Sequence, residues 1–454
     1  MKEENIAYYR NETIKLTVPV FFELLISSLF GMVDMMMVGN SGAPSIATPS
    51  IAATGITNQV MFIGIAMAQA MATGGTAMIS RYCGAKEEEK VPNVLNHIII
   101  LMILLIIIPF VALNLLIPEK IMAFIGAEPE TISIGLNYFK IVILGFIFQS
   151  LNLAIFASMR GAGDTRTPMI INICINLLNV FGNYILIFGK FNLPALGVTG
   201  AGISTSLSHV IAFIVLVIML INKNHVVKFN VSRGFKFDKN IVNNLVKIGG
   251  PAAVEQVGFR FGVVMFIKII SGLGTVAYAT HQIASNILSL SFAPGQAFGI
   301  AASTLVGRSL GEKRVDKAET FIKETNRLAL LSSIFFGAIF YFLGPTIVGF
   351  YTEDMEIINL SGDIMKVIAL IQPFQASSLA ISGGLRGAGD TVSTLIITII
   401  GVFVIRLSVA YVLINIVQIG VIGAWIAMLS DQIIRCIGII LRYKTGKWKE
   451  IKLK

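Results

Sequence analysis

RGAGDT stands at residues 160–165 and again, letter for letter, at 386–391, each time directly after a long apolar stretch. Other pairs keep nearly the same spacing. Arg81 and Gly84 match Arg308 and Gly311 at an offset of 227 residues, and Pro19, Glu23 and Gly42 match Pro251, Glu255 and Gly274 at 232, beside 226 for RGAGDT. One register with small gaps therefore relates the two halves of the chain, and the fold is to be read as a repeat.

Working outward from these marks, apolar segments fall near 15–38, 50–79, 94–116, 132–158, 168–189 and 196–222. A second set falls near 246–270, 280–306, 325–350, 355–383, 392–415 and 420–441. They are long enough to cross a bilayer as helices and lack the ten-residue alternation of barrel strands. Composition agrees: only 13% of the 454 residues are charged and the mean hydropathy is +0.81. A soluble domain carries about 25% charged residues, so the surplus apolar surface faces lipid, where backbone groups must pair internally. The expected fold is an all-α integral membrane protein of twelve transmembrane helices in two six-helix bundles. Each half holds an even number of spans, so the copies share one topology and are related by a pseudo-two-fold along the membrane normal. The expected lobes are 1–222 and 246–454, joined by a basic linker at 223–245.

The net charge of +10 does not point to nucleic acid, because the cations sit in short loops between spans. Alternate connections divide them sharply: one side holds 27 Lys and Arg, the other only Lys120 and Lys190. The positive-inside rule puts both termini in the cytoplasm. The first span has no cleavage pattern and is expected to be retained. Cys83, Cys174 and Cys436 are far apart and form no disulfide framework or metal motif.

Ionisable groups inside hydrocarbon are costly and mark function by default. Asp34 lies deep in the first span, within LFGMVDMMMVG, with no cation in reach of one helical turn. Desolvation favours its neutral acid and a bound cation its carboxylate, which suits a proton or sodium site; a structural carboxylate held by a neighbouring helix is the plainer alternative. In the fifth span Asn172, Asn176, Asn179 and Asn183 recur at spacings of 4, 3 and 4, which keeps them on one face. Such a stripe either glues helices together or lines a wet cavity. Glu255 and Gln256 follow Pro251 in the seventh span and form a second candidate cation site, while Glu23 reads as an interface residue. Asp431, one turn before Arg435, reads as its structural partner, and His97, His209, His225 and His281 read as polar packing residues. In the RGAGDT loops the glycines permit a tight reversal and Asp and Thr can cap the next helix. No nucleophile–base arrangement or HExxH can be assembled, so no enzyme is expected, and no cofactor.

At these residues the chain resembles the MATE family, the multidrug and toxic compound extrusion carriers. The resemblance covers nearly the whole chain through MVDMMMVGNSG, RGAGDTRTP and NYILIFGKFNLPALGVTGAG in the first half. GGPAAVEQVGFRFG, ATHQIASNI, FAPGQAFGIAASTLVGRSLG and QPFQASSLAISGGLRGAGDT carry it in the second. It implies two lobes around a central cavity and export of amphipathic, often cationic compounds coupled to entry of H⁺ or Na⁺. Asp34 falls on the family's first-helix aspartate and Glu255 on the seventh-helix glutamate of one branch. Asn179 and Asn183 fall where another branch has Asn and Asp, and Gln375 where some members have a tenth-helix Asp. Asp34 and Glu255 are thus the expected cation-coupling residues. Asn172, Asn176, Asn179, Asn183, Gln256, Gln282 and Gln375 are the expected polar cavity lining. A monomer in the plasma membrane, with the bilayer and small-molecule substrates as partners, completes the expectation. A lipid-linked oligosaccharide or polysaccharide flippase is the alternative within transporters; a membrane-embedded enzyme or channel is the alternative outside them.

Overall fold

A computed structural model describes residues 3–40, 44–221, 227–228 and 236–451. Of the linker expected at 223–245, residues 223–226 and 229–235 lie outside the described residues, and its end, from Lys239, already belongs to a helix. Among those described, twelve long helices follow one another with no strand. They are α1 (Glu3–Gly39), α2 (Pro44–Gly84), α3 (Glu88–Leu116), α4 (Pro129–Gly161), α5 (Arg166–Phe188), α6 (Gly197–Ile221), α7 (Lys239–Ser271), α8 (Thr275–Gly311), α9 (Val315–Gly349), α10 (Met355–Gly387), α11 (Thr391–Ile416) and α12 (Val421–Lys444). A short helix, Pro118–Ile125, lies between α3 and α4. Ten of the twelve are apolar and long enough to span a bilayer. The two others, α7 and α8, are as long, but Glu255, Arg260 and Lys268 interrupt one and Ala, Gly, Ser and Gln dilute the other. Outward-facing residues such as Leu105, Leu116, Ile218, Phe335 and Phe342 are half or more exposed, the distribution of a multi-pass membrane protein, whose apolar side chains face lipid instead of water.

Contacts divide the chain into two compact units, one made of Met1–Phe21 with Gly250–Leu453, the other of Phe22–Gly249. These limits differ from the sequence halves in a regular way. The first part of α1 packs on the second-half unit, where Tyr9 and Leu16 join Ala301, Leu305 and Phe321. The first part of α7 packs on the first-half unit, where Gly249 and Leu245 lie against Met71 and Gly74 of α2. Each change of partner falls beside the repeat prolines Pro19 and Pro251, which remove one helical hydrogen bond apiece. The start of α7 is also held by His97, whose Nδ1 donates to the Asn93 carbonyl (2.7 Å) and whose Nε2 accepts from the Asp238 amide (2.9 Å).

Within the second-half unit α8 and α10 meet on glycine: a Cβ placed on Gly383 would lie 2.1 Å from the Gly299 carbonyl oxygen. Small residues let membrane helices approach in this way and gain packing that lipid cannot supply. The repeat extends to the backbone of the turns. After α4 and after α10, Gly163 and Gly389 take φ of +93° and +88°. The Asp164 amide bonds the Met159 carbonyl and the Asp390 amide the Leu385 carbonyl, closing both helices in the same C-terminal turn.

Candidate functional site

In the first-half unit α1, α2, α4 and α6 enclose a cavity of about 100 Å³, room for several waters. Asp34 lines it, with Asn58, Tyr138, Gln149, Thr205 and His209 as the other main polar residues; Met61, Ile65 and Val142 form apolar wall. Asp34 accepts a hydrogen bond from the Nδ2 of Asn183. Among the described residues no Lys, Arg or His forms an ion pair with it. A carboxylate facing a polar cavity, oriented by an amide and lacking a fixed counter-ion, is suited to binding a mobile cation or a proton.

The asparagine stripe is built into the bundle unevenly. Asn183 is buried and serves Asp34. Asn179 donates to Thr205 Oγ1 (2.9 Å), and its carbonyl accepts from Ser204 (2.7 Å), so it fastens α5 to α6. Asn176 donates to the side chain of Asn172 (2.7 Å), which accepts from Ser27 (2.8 Å) and donates to Glu23 (3.4 Å). Glu23 also accepts from Nη2 of Arg160. The stripe thus runs from an ion pair at one end of α5 to the Asp34 carboxylate at the other. Its asparagines, expected as cavity lining, are found hydrogen-bonded to side chains of α1, α5 and α6 and are not among the residues lining the Asp34 cavity.

Glu255 in the second-half unit sits differently. It is buried and accepts from Arg386 Nη2 (2.6 Å), Thr394 (3.0 Å) and Thr398 (3.0 Å). This is the repeat mate of Glu23 with Arg160. Gln256 beside it is half-buried and Gln282 is exposed. Gln375 is buried and lines a cavity of about 10 Å³ with Gln372 and Ser291, enough for about one water; Gln372 donates to Ser291 Oγ (2.9 Å). The expected Asp431–Arg435 pair is present at 2.8 Å, and it has a third member. Arg406, wholly buried, donates through Nε to Asp431 (3.0 Å) and lies over the rings of Phe259 and Phe266 at 5.7 and 5.6 Å.

Of the polar residues lining the Asp34 cavity, the sequence marked Asp34 as a site residue but not Asn58, Tyr138, Gln149, Thr205 or His209. Gln149 is the repeat mate of Gln375, each eleven residues before an RGAGDT arginine, and that register was the signal that would have found it. His209 read as packing because a lone histidine on an apolar helix carries no pattern.

Twelve membrane-spanning helices in two repeated bundles, each with a polar interior set in apolar walls, define a carrier-type membrane protein. The MatE family model matches residues 19–185 and 251–412, once per half, and both matches begin on the repeat prolines. The chain belongs to the MatE family. It is 33% identical to the Probable multidrug resistance protein NorM of Thermotoga maritima, over 99% of this chain and 95% of that one. It is 27% identical to the Uncharacterized transporter YisQ of Bacillus subtilis, over 95% and 94%. Among solved structures it matches a multidrug resistance MATE family transporter of the MOP superfamily in an outward-facing conformation, with a TM-score of 0.89, 22% identity, and 98% and 97% of the two chains covered.

Proposed function

We propose that this protein exports amphipathic, often cationic small molecules across the plasma membrane in exchange for H⁺ or Na⁺, as a monomer with both termini in the cytoplasm. The observation that carries the proposal is Asp34: a carboxylate lining a membrane-embedded cavity, held by Asn183 and, among the described residues, without a fixed counter-ion. Its relatives named for multidrug resistance support the substrate class. A cation or proton at Asp34 and a drug would each favour a different arrangement of the two units, and exchange follows because a ligand moves an equilibrium only by its differential affinity. Glu255 would act as a secondary coupling residue, since it must first leave Arg386 to take up a cation. Arg406 and Arg435 of the second-half unit are engaged by Asp431 and lie over Phe266 and Phe259, so these two guanidinium groups are committed within the fold and do not favour the diphosphate of the flippase alternative.

The test is ethidium efflux from everted vesicles with the pH and sodium gradients collapsed one at a time, for the wild type and for Asp34→Asn. Efflux that depends on one gradient in the wild type and is lost in the variant is expected. Efflux indifferent to both gradients, or wild-type transport by Asp34→Asn, overturns the reading.

A further inference from the structure

Asp34 shares its cavity with an imidazole. His209 of α6 lines the same space, one turn beyond Thr205 on the same face of the helix. Its Nδ1 is buried and has no hydrogen-bond partner among the described residues. Its backbone carbonyl, by contrast, accepts from Asn152 of α4 at 3.0 Å, which fixes this turn of α6 in place. The backbone is thus tied down while an imidazole nitrogen is left unused.

The other titratable groups lining the cavity are Asp34 from α1 and Tyr138 from α4; α2 supplies Asn58, Met61 and Ile65, and α5 reaches Asp34 only through the amide of Asn183. A phenol ordinarily titrates near pH 10, so the charge of the space is decided by one carboxylate and one imidazole. With Asp34 ionised and His209 neutral the cavity carries one negative charge and attracts a cation. A proton on either group removes that charge, and a proton on both reverses it. In surroundings of low dielectric, such a change acts strongly on a bound cation.

We propose that His209 is a second proton-accepting residue of the Asp34 cavity, so that occupancy by an organic cation is opposed by two protons instead of one. This rests on Asp34 being the cation site of the proposed function. It extends that function by placing in an imidazole the second titratable group that Asn183 cannot supply.

The experiment measures binding of tetraphenylphosphonium to the purified full-length protein in nanodiscs between about pH 4 and pH 8, which includes the range in which an imidazole ordinarily titrates. For the wild type log Kd is expected to rise as pH falls, with a slope against pH whose magnitude approaches two at the acid end. In His209→Gln, which keeps hydrogen-bonding capacity but cannot titrate, it should fall to one, with affinity at the alkaline end within about two-fold of wild type. An unchanged slope in His209→Gln, or a wild-type slope that never exceeds one, overturns the proposal. Asp34→Asn separates the two readings: if it binds as the wild type does, the Asp34 site fails whatever His209 does. Should His209→Gln and His209→Asn both fail to fold, nitrogen-15 NMR of the wild-type imidazole decides. A His209 signal that titrates and shifts on adding tetraphenylphosphonium supports the proposal, and one that stays neutral and unmoved throughout overturns it.

Discussion

The carboxylate of Glu255 accepts a hydrogen bond from Nη2 of Arg386 at 2.6 Å, joining the residue four places beyond Pro251 to the first letter of the second RGAGDT. Glu23 and Arg160 make the same connection in the first-half unit. In both units a helix that has just changed partners is fastened to its own bundle by a charge pair, with the arginine supplied by the turn that ends the fourth helix of that half.

Removing one member of such a pair strands the other. Glu255→Ala is expected to lower stability by about 3 kcal/mol, the low end for a buried pair because the Arg386 side chain is 23% exposed. Glu23→Ala should cost more, since Arg160 is only 13% exposed, and Glu255→Gln less, since an amide oxygen in the place of Oε1 still accepts from Arg386 and Thr398. Thermal unfolding in detergent orders the three. Wild-type melting of Glu255→Ala would show that the pair does not hold the fold.

The turns offer a test in which opposite substitutions should act with opposite sign. Gly163 and Gly389 have positive φ, and a Cβ added at Gly163 meets nothing within 4 Å. Gly163→Ala should therefore cost only backbone strain, about 1 kcal/mol. Lys86 and Lys313 occupy repeat-related turns at φ of 60° and 59° with a side chain already present. Lys86→Gly and Lys313→Gly should recover a comparable strain, offset in part by the entropy of glycine. Melting temperatures that fall for the alanine variant and hold or rise for the glycine variants are the expected result.

How far the sequence foretold this arrangement depends on the range of the interaction. Helix number and order were legible because lipid leaves the backbone few options, although the helices run several residues past the apolar segments: α2 begins at Pro44 and ends at Gly84, against an expected 50–79. Hydrogen bonding within a helix continues into polar sequence. Asp34 was legible because a lone charge in an apolar run stands out, and Asp431 with Arg435 because one helical turn separates them. Arg386 with Glu255 was not, since 131 residues lie between them and each looked self-sufficient as a motif. The capping role foreseen for both RGAGDT aspartates holds for Asp164, which accepts from the Arg166 and Thr167 amides. In the second copy Asp390 pairs instead with Arg442 of α12 at 2.7 Å, a partner that only the folded bundle brings near.

Asp431 stands between two guanidinium groups, and its loss should be more damaging than the loss of either. Asp431→Asn leaves Arg406, wholly buried, with no anion, and a cost of about 3–5 kcal/mol is expected. Arg435→Ala removes a side chain that is 12% exposed and leaves Arg406 paired, so its cost should be well under half as large. Replacing Arg406 and Asp431 together with Met and Leu should recover much of the loss, because an apolar pair needs no desolvation. Unfolding measured across this double-mutant cycle gives the coupling directly.

The crossing of α8 and α10 sets the sharpest contrast among the glycines. Gly383 has no room for a methyl group: its Cβ would stand 2.1 Å from a backbone oxygen of Gly299, which cannot rotate away as a side chain can. Gly383→Ala must push the two helices apart and is expected to cost about 3 kcal/mol or more, seen as loss of monodisperse protein on size exclusion. Gly55→Ala, at a helical position of α2 where a Cβ meets nothing within 4 Å, should be neutral or stabilising by up to about 1 kcal/mol, because alanine loses less backbone entropy in a helix. If both substitutions behave alike, close backbone contact is not what joins α8 to α10, and the larger side chains around the crossing must carry the packing.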